Sequence, residues 1–134
     1  MEIRNSTHAL ISMGNESIND FIKLALEGNQ LARRYSAFAL GEIGSQSNKI
    51  VAILEALSKD KNESVRISAI ESLGLKKGTA LSKKALSYSL LNDKDDEVRS
   101  NAALSFWRLS GNSLLDLNVM CDALNDSNRY VRAY

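Results

Sequence analysis

Arginine recurs at Arg33, Arg66, Arg99 and Arg132, 33 residues apart each time, and this fixed period constrains the fold more than any other feature of the chain. The residue in front of each is Ala32, Val65, Val98 or Val131. Six positions before the last three stand Asp60, Asp93 and Asp126, with Glu27 in the matching place of the first. Four positions before each arginine come Asn29, Asn62, Asp95 and Asn128. Their side chains suit the N-cap of a helix, where they accept hydrogen bonds from the free N–H groups that open it. Coincident columns at one period mark a repeat architecture, in which each unit hides its apolar faces against its neighbours.

Each unit reads as two helices. In the unit that begins at Asn29, Leu31, Ala32, Ser36, Ala37, Leu40 and Ile43 form an apolar or small face at helical spacing. Gly41 and Gly44 are expected to end that helix by turning the backbone left-handed. Ile50, Ile53, Leu54 and Leu57 then make an i, i+3, i+4, i+7 stripe on a second helix. The next unit repeats the pattern with Val65, Ala69, Ile70, Leu73 and Gly74, followed by Leu86 and Leu90. The one after has Val98, Ala102, Ala103 and Phe106, followed by Val119, Met120 and Ala123. The first unit is looser, with Ile3, Ala9, Leu10 and Met13 on one helix and Ile18, Phe21, Ile22 and Ala25 on another. Connections of about three to six residues make successive helices antiparallel. The expectation is one all-α domain over 1–134, an α-α superhelix (solenoid) of about four hairpins. Its units are approximately 1–28, 29–61, 62–94 and 95–127, and a fifth starts at 128–134.

Composition supports that class. The chain has no proline, so helices need no interruption and turns fall to Gly, Asn, Asp and Ser. A net charge of +1 gives no electrostatic case for nucleic acid, whose binders carry a strong basic excess or patch. One cysteine and one histidine exclude an internal disulfide, argue against a Cys/His metal site and suit a reducing, cytoplasmic setting. No span of about 20 apolar residues could cross a bilayer, and Met1-Glu2-Ile3-Arg4 has no apolar run behind it, so no secretory signal is expected.

The strings Val65-Arg66-Ile67-Ser68-Ala69-Ile70-Glu71-Ser72-Leu73-Gly74 and Ala39-Leu40-Gly41-Glu42-Ile43-Gly44 resemble HEAT repeats. They are most similar to the short variety found in phycobilisome lyases and many bacterial proteins, and the resemblance covers about residues 29–132. Ankyrin repeats share the period, but their Thr-Pro-Leu-His signature is missing, as is the Trp-x-x-Leu-Gly of tetratricopeptide units. Two departures stand out. The family often places proline just after the aspartate, where this chain has Lys61-Asn62 or Lys94-Asp95, and position 107, where glycine is expected, holds Trp107. The resemblance implies that Asp60, Arg66, Asp93, Arg99, Asp126 and Arg132 form an inter-repeat hydrogen-bonded ladder, a structural role that suits charge-assisted Arg–carboxylate bonds. It also implies that the second helices line a concave face.

No constellation for catalysis is visible: His8 and Cys121 have no partner nearby in sequence, and Gly74-Leu75-Lys76-Lys77-Gly78 reads as a helix-ending turn. No cofactor or metal is expected. The register of the buried stripe turns Lys23, Ala52, Glu55, Ala56 and Lys59 outward on the second helices, then Ala85, Tyr88, Ser89 and Asn92, then Asn118, Cys121, Asp122 and Asn125. From this set Lys23, Glu55, Lys59, Tyr88, Asn92 and Asp122 are the candidate binding residues, with Tyr88 read either as a recognition aromatic or as a partly buried packing residue. Lys76, Lys77, Lys83 and Lys84 form a basic cluster at one hairpin turn, either a solvated edge or a contact for an acidic protein or a phosphate backbone. Trp107 is either a surface anchor or a filler where glycine is missing. The fifth unit, Arg129-Tyr130-Val131-Arg132-Ala133-Tyr134, opens like the others and stops, so the expectation is either the N-terminal part of a longer repeat protein or an apolar end covered by self-association. The expected function is a non-catalytic scaffold or adaptor for another protein or peptide. A nucleic-acid binder using Lys76–Lys84 is the alternative, and lyase-like handling of a tetrapyrrole a further one.

Overall fold

The computed structural model describes residues 16–43, 48–76, 80–109, 114–128 and 131. Seven helices occur among them: α1 (Glu16–Glu27), α2 (Gln30–Glu42), α3 (Asn48–Leu57), α4 (Glu63–Leu73), α5 (Ala80–Asn92), α6 (Asp96–Leu109) and α7 (Leu114–Ala123). The chain is an all-α repeat solenoid. The first helices of the units, α2, α4 and α6, begin at 30, 63 and 96, reproducing the 33-residue period. They pack in one row, α2 on α4 and α4 on α6, while α1, α3, α5 and α7 pack in a second row. His8 and the predicted first helix of the opening unit lie outside the described residues.

The core runs between the two rows. Val65, Ala69, Ile70 and Leu73 of α4 are wholly buried, as are Val51 and Leu54 of α3 and Val98 and Ala102 of α6. Each large aliphatic side chain so buried contributes roughly 1.5–3 kcal/mol, and the interleaved alanines let first helices approach closely. Two outward expectations are corrected here. Ala85 and Ser89 of α5 are buried, alongside Leu86 and Leu90. Side chains this small fit between packed helices without needing to be strongly apolar, so the buried face is wider than the Leu86–Leu90 stripe. Leu31, placed on the apolar face of its helix by spacing, is instead exposed.

The glycines act differently from the expected left-handed caps. Gly41 lies inside α2, whose C-cap is Ile43 in an extended conformation (φ −66°, ψ 126°). Gly74 caps α4 in the right-handed region (φ −64°, ψ −17°). What both positions require is room. A Cβ on Gly41 would stand 2.2 Å from Ser72 Oγ and 2.6 Å from Ser72 Cβ, and one on Gly74 would stand 2.9 Å from Ser105 Cβ and Oγ. Ser72 and Ser105 are themselves 33 apart, so one glycine–serine contact recurs at successive first-helix interfaces. Gly44 lies outside the described residues.

Candidate functional site

The turns between units are built by aspartate. Asp60 Oδ1 accepts the backbone N–H of Asn62 at 2.9 Å, Asp93 Oδ1 that of Asp95 at 3.0 Å, and Asp126 Oδ1 that of Asn128 at 2.8 Å. These local side-chain-to-backbone bonds fix each turn. The helix then opens on an N-cap: Asn29 accepts from Ala32 N at 2.9 Å and Asn62 from Val65 N at 3.2 Å. In the same column, Asn128 accepts from Val131 N at 3.4 Å, and the Asp95 carboxylate accepts from Arg66 Nη2.

Each arginine ties the turn before its own helix to the turn after its hairpin. Arg33 donates from Nη1 to Gly28 O at 3.0 Å and from Nε and Nη2 to the Asp60 carboxylate at 2.8 and 3.1 Å. Arg66 donates from Nη1 to the carbonyls of Asp60 and Lys61 at 2.9 and 3.3 Å, and from Nε to Asp93 Oδ2 at 3.1 Å. Arg99 donates to Asp93 O at 2.9 Å and to both carboxylate oxygens of Asp126 at 2.8 and 3.3 Å. Every such aspartate therefore offers its carboxylate to the arginine 27 residues before it, while Asp60 and Asp93 also offer their carbonyls to the arginine six residues after. Planar, forked guanidinium groups suit this several-way bonding. At Asp60, burial pushes the carboxyl upward, but the Arg33 and Asn62 hydrogen bonds and the charges of Arg33 and Lys61 outweigh it and hold it below its ordinary value. Arg132 lies outside the described residues.

Two hollows open above this ladder, between α3 and α5. One, about 400 Å³, is lined by Lys59, Lys61, Tyr88 and Lys94, with Asp60, Arg66 and Asp93 at the ladder side. Its neighbour, about 390 Å³, shares Lys59, Tyr88 and Asn92 and adds Glu55, Lys84 and Leu91. Tyr88 stands between them, 54% exposed, with Lys59 Nζ 4.9 Å from its ring centroid, within the range of a cation–π contact. Asn92 donates from Nδ2 to the Tyr88 carbonyl at 3.0 Å.

Of the six candidate binding residues, the fold brings together Glu55, Lys59, Tyr88 and Asn92. Lys23 and Asp122 are exposed on α1 and α7 and line neither hollow. Of the predicted basic cluster, one member is turned inward. Lys76 is 1% exposed, and its Nζ donates to Ile43 O at 2.6 Å and Gly41 O at 3.4 Å. Its long stem reaches across the repeat interface and its ammonium meets the negative end of α2. Burial lowers its pKa from the ordinary value, with the charge of Glu42 opposing. Lys83 is half-buried, Lys84 is exposed and lines the second hollow, and Lys77 lies outside the described residues. Lys61 and Lys94 were not among the candidates, although they stand 33 apart immediately after Asp60 and Asp93, a signal the period itself carries. The Lys59–Tyr88 pair had no such signal, because it joins neighbouring units.

The model for HEAT repeats matches residues 18–107, about two thirds of the chain. This chain belongs to the HEAT-repeat family. The HEAT match runs from α1 to Trp107, which is 46% exposed and stands 33 residues after Gly74, where the glycine column breaks. No curated protein matches the sequence. Among the described residues of this HEAT-repeat chain, no group of three or more His, Cys, Asp or Glu could hold a metal ion. No described helix is long and apolar enough to cross a membrane, and Cys121 is exposed on α7.

Proposed function

We propose that this chain is a non-catalytic scaffold that holds another protein along the face of its second helices, centred on α3 and α5. The observation that carries the proposal is Tyr88, an aromatic ring left 54% exposed between two hollows. Large aromatic side chains contribute disproportionately to binding where they are presented to a partner on a rigid element. HEAT repeats generally serve as protein-interaction scaffolds, which agrees with this placement. The ladder arginines and aspartates satisfy one another and are structural. A nucleic-acid surface built on Lys76–Lys84 is not favoured, because Lys76 is turned into the repeat interface.

The test is double replacement, Tyr88→Ala with Glu55→Ala, scored by capture of partners from a lysate and by circular dichroism. Capture should be lost while helical content stays unchanged. Undiminished capture by the double variant would overturn the assignment of this face.

A further inference from the structure

We infer that the partner segment seated on this face is an acidic peptide whose carboxylates meet Lys59, Lys61, Lys84 and Lys94 on either side of an apolar residue packed on Tyr88 and Leu91. The inference rests on the scaffold proposal and names the chemistry of the occupant. Its ground is a local charge imbalance that the whole chain lacks. The protein carries a net charge of only +1, yet the two adjoining hollows collect four lysines. Against them stand Glu55 and the two carboxylates of Asp60 and Asp93, which are already taken up by Arg33 and Arg66. An anionic chain therefore meets uncompensated positive charge here, and complementary charge of this kind sets partner choice and encounter rate.

The apolar element comes from Tyr88 and Leu91, 54% and 39% exposed, which both line the second hollow. A purely electrostatic surface would gain nothing from keeping these two side chains in water. The repeat also sets a spacing. Lys61 and Lys94 are equivalent positions of adjacent units, and neighbouring packed helices lie about 8–10 Å apart. An extended peptide rises about 3.3 Å per residue, so carboxylates about three residues apart would reach both lysines. A single strand could stack a base on Tyr88 but offers no aliphatic side chain to Leu91 beside it, which is why the peptide is favoured.

The test uses fluorescence anisotropy with a labelled Asp/Glu-rich peptide bearing one central leucine, a Gln-substituted peptide of the same length, and a single-stranded oligonucleotide of similar charge. The acidic peptide should bind, and its affinity should fall roughly tenfold or more as salt rises from about 50 to about 300 mM. Lys61→Glu combined with Lys94→Glu should weaken it by roughly tenfold or more, with circular dichroism unchanged. Lys49→Glu, exposed on α3 and lining neither hollow, should leave it within about twofold. Equal binding of the Gln peptide, or an equal loss in Lys49→Glu, would overturn the inference. So would an oligonucleotide that binds as tightly and is lost in the same double variant. Partner capture that depends on Tyr88 and Glu55 but is indifferent to the lysine reversals would sink the acidic assignment alone and leave the scaffold standing.

Discussion

The interface between α2 and α4 and the interface between α4 and α6 are built on the same plan and finished differently. Both bring a glycine of one first helix against a serine of the next, Gly41 on Ser72 and Gly74 on Ser105. At the first interface Ser72 also donates to Ala37 O at 2.7 Å, and Lys76 crosses over to the last carbonyls of α2. At the second, the column that held Ile43 and Lys76 is filled by Leu109, half-buried at the end of α6. The first interface is therefore closer and is held by polar bonds between helices, while the second places an apolar side chain at that corner. One repeat plan thus tolerates two chemistries at a corner, provided the glycine–serine approach and the arginine ladder are kept.

Arg66 belongs to the turns on both sides of α4, and removing it is the largest break available. Arg66→Ala would strand the buried Asp93 carboxylate and the carbonyls of Asp60 and Lys61. Breaking one side of a buried ion pair costs about 3–5 kcal/mol, to be read as a lowered urea midpoint. Arg99→Ala should cost less, because Arg99 and Asp126 keep 14% and 12% of their side-chain surface in water, against 6% and 8% for Arg66 and Asp93. Equal losses would mean that burial does not grade the ladder.

Alanine at the two glycines separates the interfaces directly. Gly41→Ala must move Ser72 against its hydrogen bond to Ala37, and the new Cβ also lies 3.0 Å from Ser72 Cα. Overpacking of this kind costs about 1–3 kcal/mol, offset by up to about 1 kcal/mol of helix propensity. Gly74→Ala meets Ser105 at 2.9 Å and Glu71 O at 3.2 Å, without an approach to the Ser105 backbone, and should cost less than about 1 kcal/mol. Thermal unfolding that ranks Gly74→Ala as the worse of the two would reverse the comparison.

Acid should act first where the ladder holds a carboxyl below its ordinary value. Asp60 is such a group. A lowered pKa in the folded state contributes stability that is present above the ordinary 3.8 and is lost as pH falls through the lowered value. The wild type should therefore lose stability relative to Asp60→Asn on going below about pH 4. Parallel pH profiles would remove Arg33–Asp60 as the cause.

The ladder and the units were legible because they recur. A side chain needed once per unit leaves a column, and Asp60, Asp93 and Asp126 with their arginines are such a column. The face was only partly legible. Spacing turns Tyr88 outward correctly, but it also turns Ala85 and Ser89 outward, since small residues carry little hydrophobic signal when they fit between helices. Lys76 is hard to read from sequence for the opposite reason. Its charge suggests solvent, whereas the carbonyls at the end of α2, more than thirty residues away in sequence, accept its buried ammonium. Gly41 reads as a helix end in the sequence because glycine commonly ends helices, whereas it is the space beside Ser72 that demands it.

Lys76 supplies the smallest effect and the finest test of how the two interfaces differ. Lys76→Met keeps the stem and removes the ammonium, so it loses the bonds to Gly41 and Ile43 while relieving a dehydrated charge. With about 1 kcal/mol for a typical hydrogen bond set against that relief, the change near neutral pH should be about 1 kcal/mol or less. The sign of the pH dependence is firmer. Burial lowers the pKa of Lys76 from its ordinary 10.5, so the unfolded chain holds that proton more tightly than the folded one. Between the lowered value and 10.5 the folded state is progressively relieved of the buried charge, and the neutral amine can still donate to the same carbonyls. The stability of the wild type relative to Lys76→Met should therefore increase as pH rises into that window. Urea unfolding of both proteins at neutral and alkaline pH measures it. A difference that shrinks as pH rises would show that the ammonium is favoured at the end of α2, with the helix terminus outweighing burial.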